Sequence, residues 1–188
     1  TSLGERFEFG KKPFKRNCSA DWDLVKQLAI EGKIEEVPAD IFIRYYMQLR
    51  RISVDYMRPL AVQRKCYLLW GATGTGKSHR AWEYMRDAYS KDPRTKWWTG
   101  YRGEKNIIID EFRGGIDIAH ILRWTDRYPV QVETKGGAAA LQAEVIIFTS
   151  NITLGSWYPE LDSATFQALE RRIQSIEITS QEQIVNFE

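Results

Sequence analysis

An α/β domain on a mainly parallel sheet, entered through a small helical module, is the fold that this 188-residue sequence predicts. Three observations carry that prediction. Before Arg64 the apolar residues recur at helical spacing. Beyond it, short apolar runs alternate with helix-like stretches. One of these runs, ending at Trp70, leads straight into a glycine-rich turn and then a helix pattern.

Residues 1–18, "TSLGERFEFGKKPFKRNC", mix Gly, Pro, isolated Phe and basic residues without periodicity and read as a linker or arm. Lys11, Lys12, Lys15 and Arg16 could touch phosphates, but a solvated linker explains them more simply. From Ser19, a candidate cap, Trp22, Val25, Leu28 and Ala29 form one helical face that Gly32 stops. A second helix starts near Pro38. Phe42, Tyr45, Leu49, Ile52 and Tyr56 form its stripe, and Pro59 ends it. Residues 19–59 thus form the helical module and residues 60–188 the α/β domain. In the latter, strands are expected at 65–70, about 95–98, 106–110 and 145–149, with a weaker one near 175–179. Helices are expected near 77–90, 117–127 and 163–173. Val130 and Val132 alternate with polar residues up to a Lys-Gly-Gly turn, which predicts a β-hairpin.

Composition excludes several classes. Hydrophobic content of 43% and charged content of 28% are ordinary for a globular chain, and the net charge of +2 announces no general nucleic-acid field. Any contact to DNA must be local. Cys18 and Cys66 sit in unlike contexts, with Cys66 inside an apolar strand, so a disulfide framework is not expected and a reducing compartment is. His79 and His120 lack ligand spacing with cysteine, which argues against zinc. No apolar run reaches membrane-spanning length. The start at Thr1 without methionine is expected of a fragment of something longer.

The turn itself, "GATGTGKS", comprises Gly71, Ala72, Thr73, Gly74, Thr75, Gly76, Lys77 and Ser78 and satisfies G-x-x-x-x-G-K-[ST] between strand and helix. Glycines let backbone N–H groups converge as an anion nest, and the helix N-terminus adds partial positive charge. Lys77 is suited to reach the β- and γ-phosphates, and Ser78 to ligate Mg²⁺. "NIIIDEF" then ends an apolar strand at Asp110 and Glu111. The aspartate can hold the metal's hydration shell, and the glutamate can orient and deprotonate water. "VIIFTSN" repeats the design and ends at Asn151, whose amide can bond both water and γ-phosphate. Phe166, Leu169 and Ile173 mark a buried helix face beside Arg171 and Arg172. Successive helical residues diverge by 100°, so the two arginines cannot share one helix face: one is left for solvent or a salt bridge and the other for a neighbouring subunit.

Together, Gly71–Ser78, "WWTGYRGEKNIIIDEF", "DRYPVQVETKGG", "FTSN" and "LERRI" resemble the superfamily 3 helicase domain of replication initiator (Rep) proteins from circular single-stranded DNA viruses of circovirus type. The resemblance covers about residues 60–178. The preceding helices look like that family's small oligomerisation domain. The resemblance implies an AAA+-type P-loop ATPase that assembles as a ring, commonly a hexamer, around single-stranded DNA and acts as a helicase in rolling-circle replication in the host nucleus. It matches Lys77 and Ser78 to Walker A, Asp110 and Glu111 to Walker B, and Asn151 to the sensor. Lys135, with Gly136 and Gly137, falls in the DNA-binding hairpin. Arg171 matches the arginine finger best, with Arg172 as its rival. Family members also carry an N-terminal nuclease domain with a metal-binding His pair, and nothing like that pair is present here. Two other readings stand beside this one. A P-loop small-molecule kinase would fit "GATGTGKS" alone, and a non-catalytic scaffold could bind ATP only structurally.

Overall fold

The computed structural model describes residues 21–187. The arm reading for residues 1–18, the Ser19 cap and Cys18 lie outside them. The described chain divides into a helical unit ending at Ser53 and an α/β unit beginning at Val54.

In the helical unit, α1 (Trp22–Ile30) is capped by Asp21, whose carboxylate accepts the Leu24 N–H at 3.0 Å. Val25, Leu28 and Ala29 are buried as expected, but Trp22 is 56% exposed. Helix α2 (Ala39–Tyr56) breaks helical geometry at Tyr45, where φ is −119° and ψ 18°. That kink resets the helical phase, so the expected stripe is wrong in part. Ile41 joins Leu49 in the core, Phe42 and Ile52 are half-buried, and Tyr45 and Tyr56 stay exposed. The Tyr45 ring instead meets Trp22 edge-on at 5.7 Å.

The α/β unit is built on β1 (Lys65–Trp70), β2 (Tyr89–Ser90), β3 (Asn106–Ile109), β6 (Val145–Ser150) and β7 (Ile173–Glu177), in the order β2-β3-β6-β1-β7. Every pairing is parallel. The apolar runs need both faces covered, and period-2 alternation sorts them cleanly. Cys66, Leu68, Ile107, Ile109, Ile146 and Phe148 enter one core, while Tyr67, Leu69, Ile108 and Ile147 enter the other. Each such Ile or Leu contributes roughly 1.5–3 kcal/mol. Burial pushes the Cys66 thiol up to about 12, so it is an inert core residue. This is an α/β P-loop NTPase fold, with β6 standing between the P-loop strand β1 and the acidic strand β3.

Helices α3 (Lys77–Tyr84), α4 (Ile118–Thr125) and α5 (Ser163–Glu170) are shorter than the sequence suggests, and β7 begins two residues early. Ile173 therefore belongs to a strand. Arg171 and Arg172 follow the end of α5. The separate antiparallel hairpin pairs β4 (Gln131–Thr134) with β5 (Gly137–Ala140), and Lys135 and Gly136 form its tip.

No strand forms at 95–98. Trp98 is fully buried in a loop, stacked on Tyr89 at 5.7 Å, and its backbone N–H donates to the Glu133 carbonyl of β4 at 2.8 Å. Beside it Lys91, 1% exposed, donates to the carbonyls of Asp92 (2.6 Å) and Thr95 (2.5 Å). Its ammonium lies 5.3 Å from the Trp124 ring centre. Burial lowers its pKa from 10.5 to about 8. Because the folded value is the lower one, the unfolded chain holds the proton between those values, and stability rises with pH there. A Lys91→Met variant should lack this rise. Denaturant titrations should show wild type gaining roughly 2 kcal/mol on the variant between pH 8 and 10; a constant difference would mean that Lys91 titrates normally.

Candidate functional site

The P-loop connects β1 to α3, and its geometry follows from glycine. Gly71 has φ 149°, and a Cβ there would lie 2.2 Å from the Ile178 carbonyl oxygen. Gly76 precedes α3 with φ 85°, which lets the helix start with its first N–H groups turned into the loop. Lys77 is buried, and its Nζ donates to the carbonyls of Gly71 (2.9 Å) and Ala72 (2.7 Å). Desolvation lowers its pKa, while Asp110 and Glu111 pull the other way. The ammonium is thus held at the loop mouth by neutral acceptors that a phosphate would readily outcompete.

Asp110 and Glu111 follow the last residue of β3, at its C-terminal end, as the strand pattern predicts. Asp110 Oδ1 accepts the Ser78 hydroxyl at 2.6 Å and also the Thr149 hydroxyl of β6. Thr149 Oγ1 in turn accepts the Glu111 N–H at 2.9 Å. Among described residues Glu111 is the only non-glycine with positive φ, 53°. A long side chain in that left-handed conformation is uncommon, so its surroundings must hold it there. One hydroxyl therefore orients the aspartate and fixes the backbone of the glutamate, a role that "FTSN" gives no means of assigning to Thr149. Thr149→Val should slow hydrolysis about tenfold or more with little change in nucleotide affinity, and Thr149→Ser should restore most of it. Equal losses in both variants would deny the hydroxyl this role.

A cavity of about 310 Å³ gathers these groups. Thr73, Gly74, Gly76, Lys77 and Ser78 line it from the P-loop, and Glu111, Thr149, Ser150 and Asn151 from the tips of β3 and β6. His79 and Gln181 complete the wall, and the sequence pattern marks neither as a site residue. The only signal for His79 is its place after Ser78; Gln181, distant in sequence, gives none. Ser78, which lines the cavity, and Asp110, to which it hydrogen-bonds, offer one hydroxyl and one carboxylate, both hard oxygen donors. That set suits Mg²⁺, which keeps several waters and takes few protein ligands beside substrate phosphates. Among the described residues no group of three or more His, Cys, Asp or Glu side chains is placed to hold a metal ion.

The remaining candidates lie elsewhere. Lys135 is exposed at the hairpin tip, and Gly136 beside it has φ 96°. Arg171 caps α5 and is exposed. Arg172 pairs with Asp126 at 2.8 Å and donates to the Ala168 carbonyl at 2.5 Å, and the pairing draws the Asp126 carboxyl down. Neither arginine lines the phosphate cavity. The arginine that anchors this region is buried Arg64, which donates to the carbonyls of Leu60, Asp126, Tyr128 and Ala143 and so ties the segment before β4 to the segment after β5.

Comparison with known proteins bears on this arrangement. A family model described as RNA helicase matches residues 67–152, which hold the P-loop, the acidic pair, the hairpin and Asn151. The chain is 42% identical over 112 residues to the replication-associated protein of Porcine circovirus 2, covering 58% of this chain and 36% of that protein. It is 37% identical over 155 residues to the replication-associated protein of Goose circovirus (80% and 51%), and 35% over 165 residues to that of Pigeon circovirus (86% and 51%). The chain thus spans between about a third and a half of the length of these relatives. The likeness of its motifs to the helicase domain of circovirus-type replication proteins is borne out.

Proposed function

From its kinship with circovirus replication-associated proteins, we propose that this chain is an ATP-driven DNA helicase acting in rolling-circle replication. The observation that carries the reading is the convergence of Lys77, Ser78, Glu111 and Asn151 on one cavity, with Asp110 accepting the Ser78 hydroxyl. A triphosphate in the P-loop nest is held by backbone N–H groups and Lys77. Ser78 and Asp110 would hold Mg²⁺, which would supply positive charge against the triphosphate. Glu111 accepts a proton from the attacking water, and Asn151 bonds that water and the γ-phosphate. A small-molecule kinase has no use for the water-activating carboxylate, and a scaffold has no use for the sensor amide.

Subunits assemble as a ring, in this reading a hexamer, and hydrolyse ATP at their interfaces. Each presents Lys135, followed by Gly136 and Gly137, to single-stranded DNA in a central channel. One exposed lysine does little for a nearly neutral monomer, but a ring of them tracks one phosphate backbone and binds with strong salt dependence. Contacts to phosphate rather than bases suit a motor that passes any sequence.

The test is ATP turnover and duplex unwinding by wild type and Lys135→Ala, each with single-stranded DNA or RNA. DNA should stimulate turnover more than RNA does. Lys135→Ala should keep basal hydrolysis, bind DNA about tenfold or more weakly with a flatter salt dependence, and fail to unwind. No hydrolysis by wild type would point to the scaffold, and stimulation by RNA alone would overturn the DNA reading.

A further inference from the structure

The chain beyond β7 runs back across the P-loop. The Ile178 N–H donates to the Trp70 carbonyl at 2.7 Å. Gln181 Nε2 donates to the Gly74 carbonyl at 2.9 Å, and Arg80 Nη2 donates to the carbonyls of Ser180 (3.0 Å) and Gln181 (2.6 Å). The segment ends with Phe187 stacked on Tyr84 of α3 at 4.1 Å.

Gln181 lines two cavities. One is the phosphate cavity; the other, about 650 Å³, runs along α3 and is lined by Arg80, Tyr84, Ile184, Asn186 and Phe187 among others. Under the function proposed above, the γ-phosphate faces Glu111 and Asn151. Of the lining residues, His79 and Gln181 alone belong to none of the P-loop, the acidic strand and the sensor strand, and the nucleoside leaves the phosphate cavity past them. Gln181 opens directly onto the second cavity. That hollow has the features a nucleoside needs. Tyr84 is 49% exposed although Phe187 covers one ring face, Ile184 is exposed, and Asn186 offers both a donor and an acceptor. Arg80, whose Nη2 holds the tail through the Ser180 and Gln181 carbonyls, lines the same hollow.

We propose that the C-terminal segment 178–187 and the outer face of α3 form the nucleoside subsite, so that the base and ribose of the bound nucleoside triphosphate rest against Tyr84 and Ile184 beyond Gln181. This rests on the ATPase reading, and it adds that the tail, outside the matched family segment, sets nucleoside affinity.

The experiment compares ATP with inorganic tripolyphosphate, which has the same phosphate chain and no nucleoside, by titration calorimetry on the full chain. Tyr84→Ala should weaken ATP on the order of tenfold and leave tripolyphosphate unchanged, and Tyr84→Phe should bind both as wild type. Ile184→Ser, a surface change that cannot unfold the domain, should lower ATP affinity in the same selective way. Hydrogen exchange at 181–187 should slow with ATP and not with tripolyphosphate. Equal weakening of both ligands, or no weakening of either, would overturn the subsite and make the tail a mere brace for the P-loop. Failure of wild type to bind either ligand would instead strike the ATPase reading itself.

Discussion

Under the proposed function, a Glu111→Gln variant should bind ATP with near-normal affinity and hydrolyse it some 10²–10⁴-fold more slowly. The amide keeps the size of the carboxylate, and the backbone anchor, the Glu111 N–H on Thr149 Oγ1 at 2.9 Å, does not involve the side chain. What is lost is the capacity to accept a proton from water. Lys77→Ala should fail differently, because in the proposed function the ammonium that the Gly71 and Ala72 carbonyls hold is the cation that binds the triphosphate. Calorimetry beside single-turnover hydrolysis separates the two, since one loses turnover with affinity kept and the other loses affinity first. Normal turnover by Glu111→Gln in a folded protein would move water activation away from this residue.

Much of that site is legible in the sequence. The P-loop shows itself because its chemistry demands glycines, lysine and serine at fixed spacing. Asp110, Glu111 and Asn151 stand out because continuous apolar runs must be buried parallel strands, whose C-terminal ends carry the site. Local pattern fails where distant packing decides. Trp98 has the pattern of a strand residue but is buried in a loop by Tyr89 and Trp124, and Lys91 is buried with it through two loop carbonyls. The kink at Tyr45 shifts a stripe whose spacing is sound. Neither the left-handed backbone of Glu111 nor the double role of Thr149 has a composition signal, because both arise only when β3 and β6 become neighbours. The same holds for Gln181, which reaches Gly74 across more than a hundred residues of chain.

Arg171→Ala should cost ~10³ or more in ATP hydrolysis while leaving the fold intact. The two adjacent arginines are separated by what each already does. Arg172 is committed within its own subunit, in an ion pair with Asp126 at 2.8 Å in which both side chains are 27% exposed, and through its bond to Ala168. Removing it should loosen the junction of α5 with the segment that Arg64 also holds through the Asp126 carbonyl. Arg171 is exposed, and the bond its side chain makes is a long one, from Nε to the Gln167 carbonyl at 3.3 Å. Its guanidinium can therefore reach outward, toward a γ-phosphate held by a neighbouring subunit, as the proposed ring requires. Action across a boundary has a signature that action within a subunit lacks. Mixing Arg171→Ala with Lys77→Ala chains creates some interfaces where one subunit supplies an intact P-loop and the other an intact arginine. Hydrolysis should reappear there, although each variant alone is inactive. Verified mixed rings without recovery, or an Arg171→Ala ring that hydrolyses ATP at the wild-type rate, would take the finger away from this residue.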